Sequence, residues 1–277
     1  VQIFVRPGGR SEGIARKDGF SPYPIGSDVA KVDVIVLLTP DHTHRSVVEN
    51  ITPYLHSGQA VIFAHGFSVH YQEARLPDFV DVLLVAPKAV GWAVRESFLH
   101  ARGFPCILAV HQDASGLARK RAEEYASLIG GSPLYWSTFQ QETETDLFTE
   151  QVLLVGGLME LLMATYDVLA ENSVLPELAY LETVGELQYM IQLLNQKGIK
   201  GLMDSISPMA QMGGATRGPQ VIDHHTREKM REIFQSIQSG QFYREWKSHP
   251  PYSLEKYYRH PLEEIYQKMK KRSEQDA

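Results

Sequence analysis

Two pairs of carboxylates stand at i, i+4 spacing in the second half of the chain. Asp146 and Glu150 lie in QETETDLFTEQ (141–151), which also carries Glu142 and Glu144, and Glu182 and Glu186 lie in LETVGELQYM (181–190). On a helix this spacing puts both members of a pair on one face, a few ångströms apart, where like charges repel. Both pairs sit in otherwise apolar helical sequence; VLLVGGLMELLM follows the first. Desolvation sharpens the repulsion, and a bound cation converts it to attraction. Hard carboxylate oxygens, with neither cysteine nor clustered histidine nearby, suit Mg²⁺ or Mn²⁺ rather than zinc. A solvated helix face has the same spacing, so the pattern alone leaves both readings open.

The elements that must carry these groups fall into two halves. Residues 1–137 alternate apolar runs with helical segments: VQIFV (1–5), DVIVLL (33–38), AVIFA (60–64), DVLLVA (81–86) and CILAV (106–110) read as strands, and 41–55 and 114–130 as helices. Near-continuous apolar runs suit strands covered on both faces, and the alternation predicts an α/β, parallel, doubly wound sheet. Such sheets bind ligands beyond the carboxyl ends of their strands. The segments there, RPGGRS, TPDHTH, HGF and PKAVGW, are polar and rich in basic groups, as a crevice for an anionic ligand requires. Residues 138–277 read as an all-α domain, with helices over 144–171, 176–197, 201–211, 223–238 and 253–272. His224 and His225 open one of these helices, and His111 reads as a loop residue.

Bulk properties narrow the function. The 277 residues are 43% apolar and 22% charged, with a net charge of −6 that offers nucleic acid no footprint. The single cysteine, Cys106, excludes an internal disulfide and fits a reducing, cytoplasmic compartment. No signal peptide is evident. The apolar run 152–164 is broken by Glu160 and falls short of the roughly 20 residues a bilayer needs, so no membrane partner is expected.

AHGFSVHY (64–71), VAPKAVGW (85–92), AVHQDASG (109–116), ETETDLFTEQ (142–151), GELQYMIQLL (185–194), DSIS (204–207), GPQVID (218–223) and SGQFYREW (239–246) stand in an order and at separations found in one family. On these motifs the chain resembles the ketol-acid reductoisomerases of the short, bacterial-type class. The resemblance implies a Rossmann-type domain followed by a knotted, dimer-forming helical domain. The implied reaction is a Mg²⁺-promoted alkyl shift in a 2-acetohydroxy acid and then reduction by NADPH, in branched-chain amino-acid biosynthesis. It further implies two metal ions, with Asp146 bridging both, Glu150 on one, Glu182 on the other, and Glu186 beside the second ion and the substrate hydroxyls. Ser207 would bind the substrate carboxylate; Lys88 would stabilise developing negative charge; His65 would sit near the nicotinamide. In the family the site is shared within a homodimer, which can build into higher assemblies: Asp146 and Glu150 come from one subunit, and Glu182, Glu186 and Ser207 from its partner.

For the cofactor, Arg6, Arg10 and Ser11 after the first strand fit a 2′-phosphate, with no acid before Glu12, so NADPH is preferred to NADH. Pro40, Asp41, His44 and Gly91 are further candidates for the cofactor cleft. VQIFV then corresponds to the second strand of a dinucleotide fold. The first strand and its GxGxxG turn, roughly 30 residues, have no counterpart, and the chain reads as a fragment or as a form without the pyrophosphate cradle. Departures from the family pattern at 89–92, 185 and 208–214 bear on substrate preference. The competing readings are a metal-independent β-hydroxyacid-type dehydrogenase and a non-catalytic relative.

Overall fold

The structure, a computed structural model, describes residues 1–248 and 252–275. The chain divides into two compact units, Val1–Asp146 and Leu147–Ala277.

In the first unit, β3 (Val34–Leu37), β4 (Ala60–Phe63), β5 (Asp81–Pro87), β6 (Phe104–Gln112) and β7 (Gly131–Trp136) form one five-stranded sheet in that order. β1 (Phe4–Val5) and β2 (Tyr23–Pro24) pair in parallel as a separate two-stranded sheet. The helices are α1 (Arg10–Lys17), α2 (His44–Ile51), α3 (Phe67–His70), α4 (Gly91–Leu99), α5 (Ala118–Leu128) and α6 (Phe139–Thr149), the last passing out of the unit. β4 and most of β5 are fully buried because both faces are covered. Val61, Phe63, Val82 and Leu84 pack with Val48 and Ile51 of α2, while Ala60, Ile62, Leu83 and Val85 pack with Ala118, Ala122 and Ala126 of α5. The three alanines recur at i, i+4, so α5 presents a stripe of small side chains to the sheet.

Two expectations are corrected here. The sheet is not wholly parallel: β3, β4 and β5 run together, but β6 lies antiparallel to β5, and β7 follows β6. The link from β5 through α4 brings the chain back at the end where β5 finished, with the Lys88 N–H donating to the Pro105 carbonyl. GSPLYW (131–136), at the junction of the two halves, is β7; one extra residue bulges between the Phe104–Gly131 and Cys106–Leu134 pairs, which accommodates Pro133 in the outermost strand. His111 accordingly lies in β6, not in a loop.

The reversal has a consequence for the site. α6 starts alongside the middle of the sheet, where Phe139 packs edge-on against Phe63 with centroids 6.4 Å apart, and runs back past the carboxyl ends of β4 and β5. The first turns of α6 therefore belong to the compact α/β unit, and the two units meet at 146/147, inside the helix.

In the second unit the helices are α7 (Gly156–Glu171), α8 (Pro176–Tyr180), α9 (Glu186–Ser205), α10 (Pro208–Val221), α11 (His224–Gln238), α12 (Gln241–Ser248), α13 (Glu255–Tyr258) and α14 (Pro261–Gln275). π-helical turns at Glu150–Leu154 and Leu181–Gly185 join α6 to α7 and α8 to α9. The unbroken helical run Phe139–Glu171 is 33 residues long and by length and composition apolar enough to cross a membrane, longer than the sequence reading allowed. Leu153, Leu154, Val155, Leu161 and Val168 on it are exposed. Glu160, midway along, accepts hydrogen bonds from Lys256 at 2.5 Å and the Tyr257 hydroxyl at 3.0 Å.

Candidate active site

Three strand ends and one helix build the site. Thr39, Pro40 and Asp41 follow β3; Ala64, His65 and Gly66 follow β4; Lys88 follows β5; α6 brings Glu142 and Asp146 to them. Thr138 precedes α6, and its hydroxyl accepts the Gln141 N–H at 3.0 Å as a cap. Acidic residues in the opening turn suit the positive end of the helix dipole.

Glu142 is the centre of the arrangement and was not singled out by the sequence reading. Its side chain is 1% exposed. Oε2 accepts the Gly66 N–H at 2.9 Å and Oε1 accepts from Lys88 Nζ at 2.9 Å. Lys88 Nζ also donates to Asp146 Oδ1 at 2.7 Å. Burial alone would lower the Lys88 pKa, but the Glu142 carboxylate and the bonds to Asp146 and Glu142 outweigh it, and the pKa is raised. The missed signal was the spacing already in use: Glu142 and Asp146 are themselves an i, i+4 pair, so 142, 146 and 150 form a ladder.

His65 faces the same cluster. Its Nε2 is buried with no hydrogen-bond partner among the described residues, 3.6 Å from Asp146 Oδ2, and its Nδ1 lies 3.6 Å from Asp41 Oδ2. Burial works against the charged ring, yet Asp41, Glu142 and Asp146 together raise the His65 pKa. His65, Glu142 and Asp146 each offer a ligand atom within 4.8 Å of the others. A buried nitrogen without a partner beside two carboxylates is a donor set into which a hard cation or its bound water fits.

Gly66 permits this approach. A Cβ there would come 2.5 Å from Thr143 Oγ1, 2.7 Å from the Phe139 carbonyl and 3.0 Å from Glu142 Oε2. Since backbone must move, Gly66→Ala is expected to cost about 1–3 kcal/mol and to lower turnover by weakening the Gly66–Glu142 bond. Thermal melts and steady-state rates on the same preparation check both; a variant with unchanged melting and rate contradicts this packing.

His44 is 2% exposed and turned into the core: Nε2 bonds the Thr39 carbonyl at 2.8 Å and Nδ1 the Ser68 hydroxyl at 2.7 Å, and burial lowers its pKa. Arg6, Arg10 and Ser11 are exposed, and neither arginine has an ion pair among the described residues. Glu12 of the same loop is already engaged, accepting the Gly8 N–H at 2.7 Å and Arg16 Nη2 at 2.8 Å. The basic groups there thus remain available to a phosphate. Pro40 and Gly91 are exposed at the ends of β3 and β5, Gly91 opening α4.

Glu150, Glu182, Glu186 and Ser207 belong to the second unit. Glu150 opens the first π turn; Glu182 lies within the second and Glu186 directly follows it. Such one-residue insertions recur at functional sites, because they re-aim the side chains of a turn. Ser207 is exposed and caps α10, its hydroxyl accepting the Ala210 N–H at 3.2 Å.

Comparison with known proteins follows the two units. Residues 1–134 match the family described as acetohydroxy acid isomeroreductase, NADPH-binding domain, and residues 139–276 match ketol-acid reductoisomerase, C-terminal domain. The chain is 44% identical over 281 residues to the ketol-acid reductoisomerase (NADP(+)) of Pyrobaculum calidifontis, covering 98% of this chain and 86% of that one. It is 42% identical over 249 residues to the ketol-acid reductoisomerase (NAD(P)(+)) of Metallosphaera sedula, covering 89% and 74%. A solved NADH-preferring ketol-acid reductoisomerase from an uncultured archean superposes with a TM-score of 0.91 at 36% identity, covering 96% and 84%.

Proposed function

The chain belongs to the ketol-acid reductoisomerase family, and from that premise we propose that it converts a 2-acetohydroxy acid to a 2,3-dihydroxy-3-alkyl acid with Mg²⁺ and NADPH. The family is one of NADP-dependent oxidoreductases of branched-chain amino-acid biosynthesis. The observation that carries the reading is the cluster of His65, Lys88, Glu142 and Asp146 at the carboxyl ends of the strands.

Asp146 and Glu150 would hold the metal ions from one subunit, and Glu182 and Glu186 from its partner. A pair of divalent cations, when bound, supplies Lewis acidity to the two neighbouring oxygens between which charge moves in an alkyl shift. The chain's own groups do the rest. The Lys88 ammonium offsets repulsion between Glu142 and Asp146 and fixes both carboxylates against rotation. Glu186 takes up or returns the hydroxyl proton. Ser207, at the positive end of α10, suits the substrate carboxylate. Arg6, Arg10 and Ser11 take the 2′-phosphate, which favours NADPH.

A homodimer is part of the same reading. The exposed apolar residues of the 139–171 helix need a cover, and a second copy is preferred to lipid because Glu160 and its bonds to Lys256 and Tyr257 sit midway along that helix. A metal-independent β-hydroxyacid dehydrogenase has no use for the carboxylate ladder. The deciding assay follows NADPH absorbance with 2-acetolactate, with and without Mg²⁺. Oxidation only when Mg²⁺ is present is expected; full turnover after EDTA overturns the proposal.

A further inference from the structure

We infer that Asp41 is a positioning residue that fixes the ring of His65, rather than a contact for the cofactor. The inference rests on the functional reading above, in which His65 serves the reaction.

Asp41 opens a 3₁₀ turn (Asp41–Thr43) directly after Pro40, at the end of β3. Its carboxylate stands between two imidazoles: Oδ1 is 3.7 Å from Nδ1 of His44, and Oδ2 is 3.6 Å from Nδ1 of His65. His44 cannot answer it. A carbonyl only accepts, so His44 Nε2 donates to the Thr39 oxygen at 2.8 Å. In the neutral ring Nδ1 is then the acceptor, and the Ser68 hydroxyl donates to it across 2.7 Å. Both nitrogens of His44 are thereby spent, and Ser68 is fully buried.

The Asp41 carboxylate is left with His65 Nδ1–H as its partner among the two rings. At 3.6 Å the contact is an ion-pair distance that a shift of a few tenths of an ångström makes a hydrogen bond, and such bonds commonly tighten only when ligand is bound. The other restraints on His65 agree. Its ring stacks on Phe67 at 6.0 Å and 23°, and Nε2 lies 3.6 Å from Asp146 Oδ2 with no hydrogen-bond partner among the described residues. A carboxylate behind one imidazole nitrogen sets which nitrogen carries the proton and where the opposite nitrogen points. His44 and Ser68 form the buried wall beside Asp41, whose own side chain stays 38% exposed and faces His65.

The test uses the full chain with ¹⁵N-labelled histidine, and His65→Gln to assign the His65 signals. At a pH that keeps the ring neutral, long-range ¹H–¹⁵N correlations are expected to show His65 protonated at Nδ1. In Asp41→Ala the proton is expected to move toward Nε2, with the His44 signals unchanged. Under turnover, Asp41→Ala and the isosteric Asp41→Asn are each expected to lose about 10- to 100-fold in kcat, while KM for NADPH stays within about twofold of the parent value. A rise in KM for NADPH with kcat held, as a cofactor contact would give, overturns the inference. So does a His65 nitrogen pattern unaltered by Asp41→Ala. Should the parent chain not turn over 2-acetolactate, the functional reading fails, and the nitrogen spectra alone still decide the role of Asp41.

Discussion

Asp146→Asn is expected to reduce kcat/KM for 2-acetolactate by roughly a thousandfold or more, with little change in melting temperature. Asp146 is the group on which the proposed metal ions meet, and a thousandfold corresponds to about 4 kcal/mol of transition-state stabilisation, within the several kcal/mol that a metal ion supplies. Asparagine keeps the shape and one oxygen acceptor for Lys88 Nζ, which sits 2.7 Å from Asp146 Oδ1, so the local fold has no reason to open. The loss should also appear without turnover. Mn²⁺ affinity measured by calorimetry is expected to fall at least tenfold, since even partners of metal ligands typically cost 10- to 100-fold when removed. Activity within about tenfold of the parent, or unchanged Mn²⁺ affinity, removes Asp146 from the centre of the chemistry.

Lys88→Met is the second large effect, and it acts on stability and rate together. Glu142 has a side chain 1% exposed, and its bonds come from Lys88 Nζ and the Gly66 N–H. Removing the ammonium strands a buried carboxylate. A fully buried pair broken in this way typically costs about 3–5 kcal/mol; with Lys88 about one-third exposed, roughly 2 kcal/mol is the discounted figure. The sign of the pH dependence follows from the raised Lys88 pKa. A raised pKa gives stability that is fully present below the ordinary value of 10.5 and lost only as pH climbs through the higher folded value. The parent's advantage over Lys88→Met should therefore be flat between pH 6 and pH 9, read by denaturant melts at each pH. Turnover is expected to fall by about 10²-fold or more, as for loss of one preorganised electrostatic group. An advantage that vanishes within that range, or a variant as stable as the parent, contradicts the Glu142–Lys88 account.

Much of this was legible in the amino-acid order, for identifiable reasons. β4 and β5 are buried on both faces, and their continuous apolar runs announce that. β7 was hidden because Gly131, Ser132 and Pro133 read as a turn, and a bulged outer strand tolerates what an inner one rejects. The reversal at β6 left no mark in the apolar pattern, since periodicity reports burial and not direction. Nor did the two π turns, each a single inserted residue in a helix whose apolar spacing barely changes. Asp146, Glu150, Glu182 and Glu186 stood out by spacing, and of these Asp146 lies in the cluster, whereas Glu142 was passed over although it is one turn before Asp146. By position alone His44 and His65 look alike, since both follow strand ends; the fold shows that Thr39 and Ser68 close around His44.

The family match and the site geometry bear on different parts of the account. The first establishes the class of enzyme; the cluster around Asp146 is where the proposed chemistry is placed. In the proposed homodimer a second copy would cover the exposed apolar residues of the second unit and supply the acidic start of α9 and the capped start of α10.

The most direct measurement is diffraction from crystals of the full chain grown with Mn²⁺ and collected at the manganese absorption edge. The account predicts two anomalous peaks, each about 2.1 Å from the Asp146 carboxylate, one shared with Glu150 and the other with Glu182. Peaks remote from Asp146, or none at Mn²⁺ concentrations that support turnover, would contradict it.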